Sequence, residues 1–382
     1  MQRLKALTWD HPRGYNALAA AAARPELAEW GLAIDWEKQP LEGFESHPIA
    51  DLCARYDLVV LDHPHVGEAL AGNCLRSLED VFGDATVQAL EAESIGPSLQ
   101  SYRFGGAHWA LPLDAATQVM AARADLLEAA VPELWDEVVA LSRTTGKVAL
   151  SLAGPHAALS FLSIAAAFGD PPAETDPEVL VSRHVGRPVY ELMRGLANRS
   201  PRSVRDRNPI GILDHMASND DVVLCPLVYG YVNYAAPQTG HQVVFHDAPR
   251  RVPGGRPGST LGGTGIGIAR RCEITPALKR HLLWLMSREA QVDFIPAHDG
   301  QPSRREAWHD PRVNARWGGF YENTADTLEQ AYVRPRHDGY IAFQGKASAL
   351  LRQAFEDKAP ADGVLESLQA LYASHRKAGG ER

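Results

Sequence analysis

The pattern of hydrophobic and polar residues in the N-terminal part of the chain predicts an α/β sheet. Apolar runs at residues 4–8 and 32–36 have the length of strands, and the alanine-rich stretch between them predicts a helix that ends near Trp30. We expect Asn16 to cap that helix. The run at residues 56–62 is apolar and bounded by acids, which is typical of a buried parallel strand. This is β-α-β-α-β order, and α/β sheets bind ligands beyond the carboxyl ends of their strands.

The pattern becomes more helical after Asp114. A glycine-rich stretch at residues 254–267 interrupts it, and the last part of the chain has a mainly helical pattern. The elements predicted in this part are helices at 115–129, 132–141 and 161–168, a strand at 222–228 and a helix at 276–288.

The composition is that of a globular chain with more than one core. The chain has 382 residues, of which 45% are hydrophobic and 22% are charged, and its formal net charge is −9. Acidic and basic residues are interspersed, which argues against a nucleic-acid partner. No apolar run reaches the roughly 18 residues that cross a bilayer, so we expect no membrane insertion. We also find no export signal, and two expectations follow: removal of a leader, or a cytoplasmic protein.

Motifs for metals, cofactors and catalysis are weak. The four cysteines form no CxxC, although Cys53 and Cys74 could pair in an oxidising compartment, with ordinary buried thiols as the alternative. His63 and His65 have H-x-H spacing, which alone is a weak metal signal, and we predict no metal. The glycines at 263–267 have GxGxG rather than GxGxxG spacing, so we predict no dinucleotide cofactor.

Six short segments carry a resemblance to a known family. They are Trp-Ala-Leu-Pro-Leu-Asp at 109–114, Arg-Ala-Asp-Leu-Leu at 123–127, Trp-Asp-Glu-Val at 135–138, Leu-Gly-Gly-Thr-Gly-Ile-Gly-Ile at 261–268, Ser-Arg-Glu-Ala-Gln at 287–291 and Gly-Gln-Pro-Ser-Arg at 300–304. Their order and spacing resemble the extracellular solute-binding proteins of ABC importers, in the cluster that includes sugar binders. Segments 9–14, 62–67 and 334–336 depart from maltose-type binders and indicate a distinct subfamily.

The resemblance implies two α/β lobes that close around a small molecule. The first lobe is expected at 1–112 and 240–298, and the second, more helical lobe at 113–239 and 299–382. The implied protein is a periplasmic monomer, not an enzyme, that delivers its ligand to ABC transporter membrane subunits. A carbohydrate is the expected ligand, with an amine or an organic acid as alternatives. Two other functions stay open: an enzyme on the same bilobal fold, and a cytoplasmic small-molecule sensor.

Candidate ligand contacts lie on loops after predicted strands and at the implied crossovers between lobes. Aromatic faces contact sugar rings or cations, and carboxylates and amides give directional hydrogen bonds. Asp114 has a helix N-cap as its alternative role, and Arg304 either binds a carboxylate or bridges the lobes. The residues expected at the ligand are Trp9, Asp10, His11, Asp62, His63, Asp114, Tyr229, Tyr231, Tyr234, Gly262, Gly263, Gln301 and Arg304.

Overall fold

The computed structural model describes residues 1–236 and 241–378, and it contains a five-stranded and a three-stranded sheet. A two-stranded hairpin of β4 and β5 accompanies them. In chain order the strands are β1 Gln2–Trp9, β2 Leu32–Gln39, β3 Leu58–Leu61, β4 Arg103–Phe104, β5 Ala107–His108, β6 Ala110–Asp114, β7 Gln118–Ala122, β8 Leu224–Tyr229, β9 Val244–His246 and β10 Thr264–Ile268.

The five-stranded sheet confirms the α/β pattern predicted for the N-terminal part of the chain. Its order is β2-β1-β3-β10-β6, and β1 is parallel to both β2 and β3. All four residues of β3 are buried, as expected for an apolar run between acids. β10 returns antiparallel between β3 and β6. The loops after β1 and β3 therefore leave the sheet at the same edge.

The first helix begins earlier than predicted and is shorter. It starts at Pro12, and His11 caps it by accepting a hydrogen bond at Nδ1 from the Arg13 amide, at 3.1 Å. The predicted cap, Asn16, is wrong: it lies inside the helix. A second short helix starts at Pro25, because proline fits the first turn of a helix but not its interior.

Helices make up most of the remaining described chain, and none of those described is long and apolar enough to span a bilayer. They are α1 Pro12–Ala22, α2 Pro25–Glu29, α3 Leu41–Ser46, α4 Ile49–Arg55, α5 Val66–Ala71, α6 Leu78–Phe82, α7 Asp84–Glu93, α8 Trp135–Thr145, α9 His156–Ala167, α10 Arg183–Arg199, α11 Pro209–Ser218, α12 Pro276–Leu285, α13 Arg305–His309, α14 Pro311–Arg316, α15 Phe320–Glu329, α16 Tyr340–Glu356 and α17 Ala361–Ala378.

The helix predicted at residues 115–129 is wrong. β6 ends at Asp114 and β7 begins at Gln118, so this alanine-rich stretch crosses between the sheets and then becomes a strand. β7 lies between β8 and β9, and all five of its residues are buried. The helix propensity of alanine is a weak prior, and pairing on both edges of β7 overrides it.

The segments that connect the sheets are hydrogen-bonded to one another. The Ala115 amide donates to the Gln301 carbonyl oxygen at 3.1 Å, and the Gly262 amide donates to the Ala116 carbonyl oxygen at 2.8 Å. Gly263 has a φ of +86°, and a Cβ there would lie 2.3 Å from the backbone oxygen of Asp114. Only glycine therefore fits this crossing without a shift of the backbone.

Each sheet has its own set of helices. α16 packs against α9 and α17, beside the three-stranded sheet, while α1 and α2 pack against β2 of the five-stranded sheet. β9 pairs with β7, although its residues fall in the 240–298 segment that is expected in the first lobe. We therefore propose that the second lobe extends to residue 263, and the rest of the expected division stays a prediction.

Candidate ligand-binding cleft

Two groups of buried polar and aromatic side chains bring together strand ends from both sheets. The Arg13 group consists of Trp9, His11, Arg13, Asp114 and Tyr231. The Arg334 group consists of Asp62, His63, His156, Tyr229, Arg334 and Tyr340.

Arg13 joins the end of β6 to the loop after β8. Its side chain is 4% exposed, and it binds Asp114 through two nitrogens, with Nε 2.8 Å from Oδ2 and Nη2 2.5 Å from Oδ1. Its third terminal nitrogen, Nη1, donates to the Gly230 carbonyl oxygen at 3.0 Å. A two-pronged Arg–carboxylate pair is strong and directional. Asp114 thus holds an arginine at the crossover and caps no helix.

Aromatic rings surround this ion pair. The rings of Trp9 and His11 stack with centroids 5.1 Å apart, and Tyr231 meets both rings edge-on. The Arg13 guanidinium lies 5.0 Å from the centroid of Tyr231, within cation–π range. Burial, and next the charge of Arg13, lowers the pKa of His11 to about 4. The Arg13 group therefore contains a neutral imidazole and a balanced ion pair at neutral pH.

The Arg334 group is also organised by an ion pair. Asp62 follows β3 and caps the short 3₁₀ turn at residues 63–65, since Oδ1 accepts from the His63 amide at 2.8 Å. Its Oδ2 accepts from Arg334 Nη2 at 2.5 Å, and Arg334 is 2% exposed. Arg334 also donates to Gln344 of α16 and to the Leu261 carbonyl oxygen. Burial opposes ionisation of Asp62, but Arg334 and His63 outweigh it and hold the pKa of this carboxyl well below its usual range.

Two histidines in this group are buried and neutral. His63 is fully buried, with Nδ1 3.1 Å from Asp62 Oδ1, and burial together with the charge of Arg334 lowers its pKa to about 4. His156 lies at the start of α9, where burial and the charges of Arg334 and Arg352 lower its pKa to about 3. The same guanidinium therefore acts on the histidine that follows β3 and on the histidine that begins α9.

Tyrosines complete the Arg334 group. Tyr229 ends β8 and meets the His156 ring edge-on at 5.9 Å. Gly262 lies against it, because a Cβ at Gly262 would be 2.5 Å from Tyr229 Cε1. Tyr340, at the start of α16, is fully buried, and burial raises its pKa against the opposing charge of Arg334.

Several buried polar atoms in the two groups have no hydrogen-bond partner within residues 1–236 and 241–378. Among them are Trp9 Nε1, His63 Nε2 and Tyr340 Oη. Indole nitrogen only donates, whereas imidazole and phenol can donate or accept. Burying such a group without a partner costs free energy, so these atoms retain unused hydrogen-bonding capacity.

Other expected contacts lie outside both groups. Asp10 is exposed and pairs with Lys38 at 2.7 Å. The Tyr234 hydroxyl donates to Asp214 Oδ1 at 2.6 Å on α11. A ligand role for Asp10 and Tyr234 stays a prediction.

Gln301 and Arg304 have structural roles at the third connection between the sheets. Gln301 is fully buried; its Oε1 accepts from the Val232 amide and its Nε2 donates to the Ala115 carbonyl oxygen, both at 3.0 Å. Arg304 pairs with Glu93 of α7. Gln301 therefore fixes the crossovers, and Arg304 binds a carboxylate of the protein itself.

Sequence reasoning missed the basic half of each group. Arg13 and Arg334 lie in segments that depart from maltose-type binders, and that departure was the available signal for them. His156, Tyr340 and Gln344 begin or line helices and carry no motif. Within the described residues, no group of three His, Cys, Asp or Glu side chains is arranged to hold a metal ion.

Comparison with solved structures identifies the fold. Maltose-bound MalE3 of T. maritima superposes with a TM-score of 0.80 at 17% identity, over 97% of this chain and 98% of that one. An ABC transporter solute-binding protein from Agrobacterium radiobacter K84, in complex with ribitol, gives 0.79 at 21% identity over 97% and 98%. The chain has the two-lobed solute-binding protein fold. A third such structure, from Thermotoga lettingae TMO with α-D-tagatose, gives 0.78 at 13% identity over 98% and 100%. No protein-family model and no curated protein matches the sequence.

Proposed function

We propose that this protein binds a small, neutral, polyhydroxylated molecule, a sugar or a sugar alcohol, between the Arg13 and Arg334 groups. The observation that carries the proposal is the set of three unpartnered buried atoms, Trp9 Nε1, His63 Nε2 and Tyr340 Oη. Trp9 ends β1 and His63 follows β3, both in the five-stranded sheet, whereas Tyr340 begins α16 beside the other sheet. A polyol offers hydroxyl groups that both donate and accept, so it can satisfy all three atoms.

The charge balance favours a neutral ligand over an organic acid or an amine. Arg13 is paired with Asp114 and Arg334 with Asp62. The imidazoles of His11 and His63 have pKa values lowered to about 4, so they carry no charge at neutral pH. A charged ligand would meet no uncompensated opposite charge in either group, so no ionic interaction would offset the free energy of its desolvation.

Aromatic rings next to polar groups support the same ligand class. Trp9, Tyr231 and Tyr229 present ring faces and edges beside the ion pairs. Sugars and sugar alcohols combine C–H surfaces, which pack on rings, with hydroxyl groups, which bond to the ion-paired side chains. Maltose, ribitol and tagatose, found in the similar structures, are members of this class.

Transport is the biological role that we propose for this binding. A ligand held by both lobes favours the closed arrangement, and the membrane subunits of an ABC importer would recognise that arrangement. We propose a monomer, because lobe closure needs both lobes free. We propose the periplasm as its location, because the sequence resembles extracellular solute-binding proteins. In this role the protein binds its ligand and releases it without chemical conversion.

Isothermal titration of the purified chain with ribitol, maltose and tagatose tests the proposal. We expect at least one of them to bind with a single saturable isotherm and to be recovered unchanged. A charged panel, with glutamate and choline as probes, should give no heat. Tight binding of a charged probe in preference to all three polyols would contradict the proposal.

Substitution of His63 links that binding to the cleft. His63→Ala removes an unpartnered imidazole nitrogen, and loss of a hydrogen bond to a buried group should weaken binding by about tenfold or more. His281→Ala is the matched control, because His281 is also buried, with its pKa lowered to about 4, but lies on α12. Equal affinity of both variants would show that the ligand binds elsewhere.

A further inference from the structure

A cavity of about 660 Å³ lies beside the segment at residues 331–337. Residues on the five-stranded-sheet side, Pro97, Gln100 and Phe104, face residues 172–177 and α17 across it. Arg334 is its single lining residue from the Arg13 and Arg334 groups within the described chain. Its volume is that of ordinary small-molecule sites, which span about 300–1,000 Å³. This space therefore borders the Arg334 group through Arg334 and is otherwise lined by residues outside both groups.

The wall of this cavity is basic, in a chain whose net charge is −9. It is lined by four arginines, Arg256, Arg334, Arg336 and Arg376, and by one carboxylate, that of Glu174. Arg334 is neutralised by Asp62, and Arg376 lies 2.6 Å from Glu178. Arg256 is 3.9 Å from Glu174. In the described part of the chain, Arg336 is left with no carboxylate within 4.0 Å.

Arg336 is held in place by neutral groups. Its Nη1 donates to three backbone carbonyl oxygens, those of Gln100 at 3.2 Å, Ser101 at 3.1 Å and Arg103 at 3.0 Å. No hydrogen bond to another described residue uses Nη2, and Nε is buried without a partner. Burial lowers the pKa of Arg336, and the Tyr332 hydroxyl raises it by a smaller amount. The guanidinium nevertheless stays charged, as arginine does in proteins.

A half-buried cation without a counter-ion is costly, and a bound anion removes that cost. The guanidinium is anchored at Nη1, so its orientation is fixed while Nη2 remains for a ligand. The planar fork of arginine forms charge-assisted hydrogen bonds to carboxylate and phosphate oxygens. We propose that the cavity beside residues 331–337 binds a small oxyanion, carrying a carboxylate or phosphate group, on Arg336. This site is additional to the neutral-polyol cleft and does not depend on it.

Titration of the intact chain with inorganic phosphate and with citrate, at constant ionic strength in chloride, tests this proposal. We expect saturable binding of at least one probe, and the two probes distinguish phosphate from carboxylate chemistry. Arg336→Gln should weaken it at least tenfold, and Arg336→Lys should weaken it less, because lysine keeps the charge but not the fork. Glu174→Gln should tighten it, since this removes the one lining carboxylate.

Arg183→Gln is the control, because Arg183 is an exposed arginine paired with Glu366 on the surface. Circular dichroism of each variant checks that it is folded, and Glu174→Gln tests the site should Arg336→Gln fail to fold. Absence of saturable binding, equal affinity of Arg336→Gln and the unchanged chain, or an equal loss in Arg183→Gln would each overturn the proposal.

Discussion

Replacement of Arg334 by methionine removes the charge that compensates Asp62. Arg334 is 2% exposed, and the Asp62 side chain is 19% exposed. Removing one partner of a buried pair costs about 3–5 kcal/mol. Because water reaches part of Asp62, we expect the lower end, about 3 kcal/mol, for Arg334→Met. The lost hydrogen bonds to Gln344 and to the Leu261 carbonyl are included in this figure.

A double-mutant cycle separates the pair from these other contacts. Urea unfolding of the unchanged chain, Arg334→Met, Asp62→Asn and the double variant gives the four free energies of unfolding. The double variant should lose less than the sum of the single variants, with a coupling of about 2 kcal/mol, because neither side chain then leaves a buried charge behind. The exposed pair of Arg187 and Asp362, with side chains 60% and 47% exposed, should show a coupling below about 1 kcal/mol.

The pH dependence of the same cycle checks the cause. The folded-state pKa of Asp62 lies below its unfolded value, so the pair's contribution is present above about pH 4 and is lost as the pH falls through the folded-state pKa. Without Arg334 the burial of Asp62 raises that pKa instead, so the deficit of Arg334→Met should be smaller at about pH 4.5 than at pH 7. A coupling near zero, or a deficit independent of pH, would refute an energetic role for the ion pair.

Other substitutions address the histidines, the glycine crossover and the thiols. Burial lowers the pKa of His281 to about 4, so this histidine takes up a proton in the unfolded chain at a higher pH than in the folded chain. Protonation therefore lowers the free energy of unfolding as the pH falls from 7 to 5. His281→Leu should remove this loss, which is about 2 kcal/mol at pH 5, in urea titrations. Gly263→Ala should destabilise by about 2 kcal/mol or more in thermal unfolding, whereas Gly345→Ala, in an open helical position, should not. The Cys74 thiol and burial raise the pKa of Cys53, which indicates that the two thiols lie close together. Oxidised glutathione should therefore convert them to a disulfide and be reduced to two molecules of glutathione; mass spectrometry of Cys53→Ser should instead show a stable glutathione adduct on Cys74.

The part of the site that sequence predicts is the part set by strand periodicity. β1 and β3 are apolar runs with polar residues directly after them, so periodicity alone places Trp9, His11, Asp62 and His63 at one edge of the sheet. It cannot place their partners. Arg334 is 272 positions from Asp62, and Arg13 is 101 positions from Asp114. A contact of that kind leaves no local pattern.

The failure at residues 115–129 has a related cause. Alanine, methionine and leucine favour a helix locally, and a sequence window cannot register that β8 and β9 cover both edges of β7. Tyr229, Tyr231 and Tyr234 are all expected at the ligand, yet these residues separate. Tyr231 contacts the Arg13 group, while Tyr234 bonds to Asp214 on α11. Strand alternation ends at Tyr229, so spacing alone no longer determines which face a side chain takes.

An ion pair such as that of Asp62 with Arg334 suits the lobe motion that we propose. A large apolar contact between lobes would add about 25 cal/mol for each Å² buried, and closure would then need no ligand. Desolvation of Asp62 and Arg334 instead offsets part of their attraction, so this pair favours closure less than an apolar contact would. A ligand shifts such an equilibrium only by its difference in affinity for the two arrangements, so a small balance lets a few hydrogen bonds decide it. We propose that the unpartnered atoms on His63 and Tyr340 supply that difference, because His63 follows β3 of the five-stranded sheet and Tyr340 begins α16 beside the three-stranded sheet.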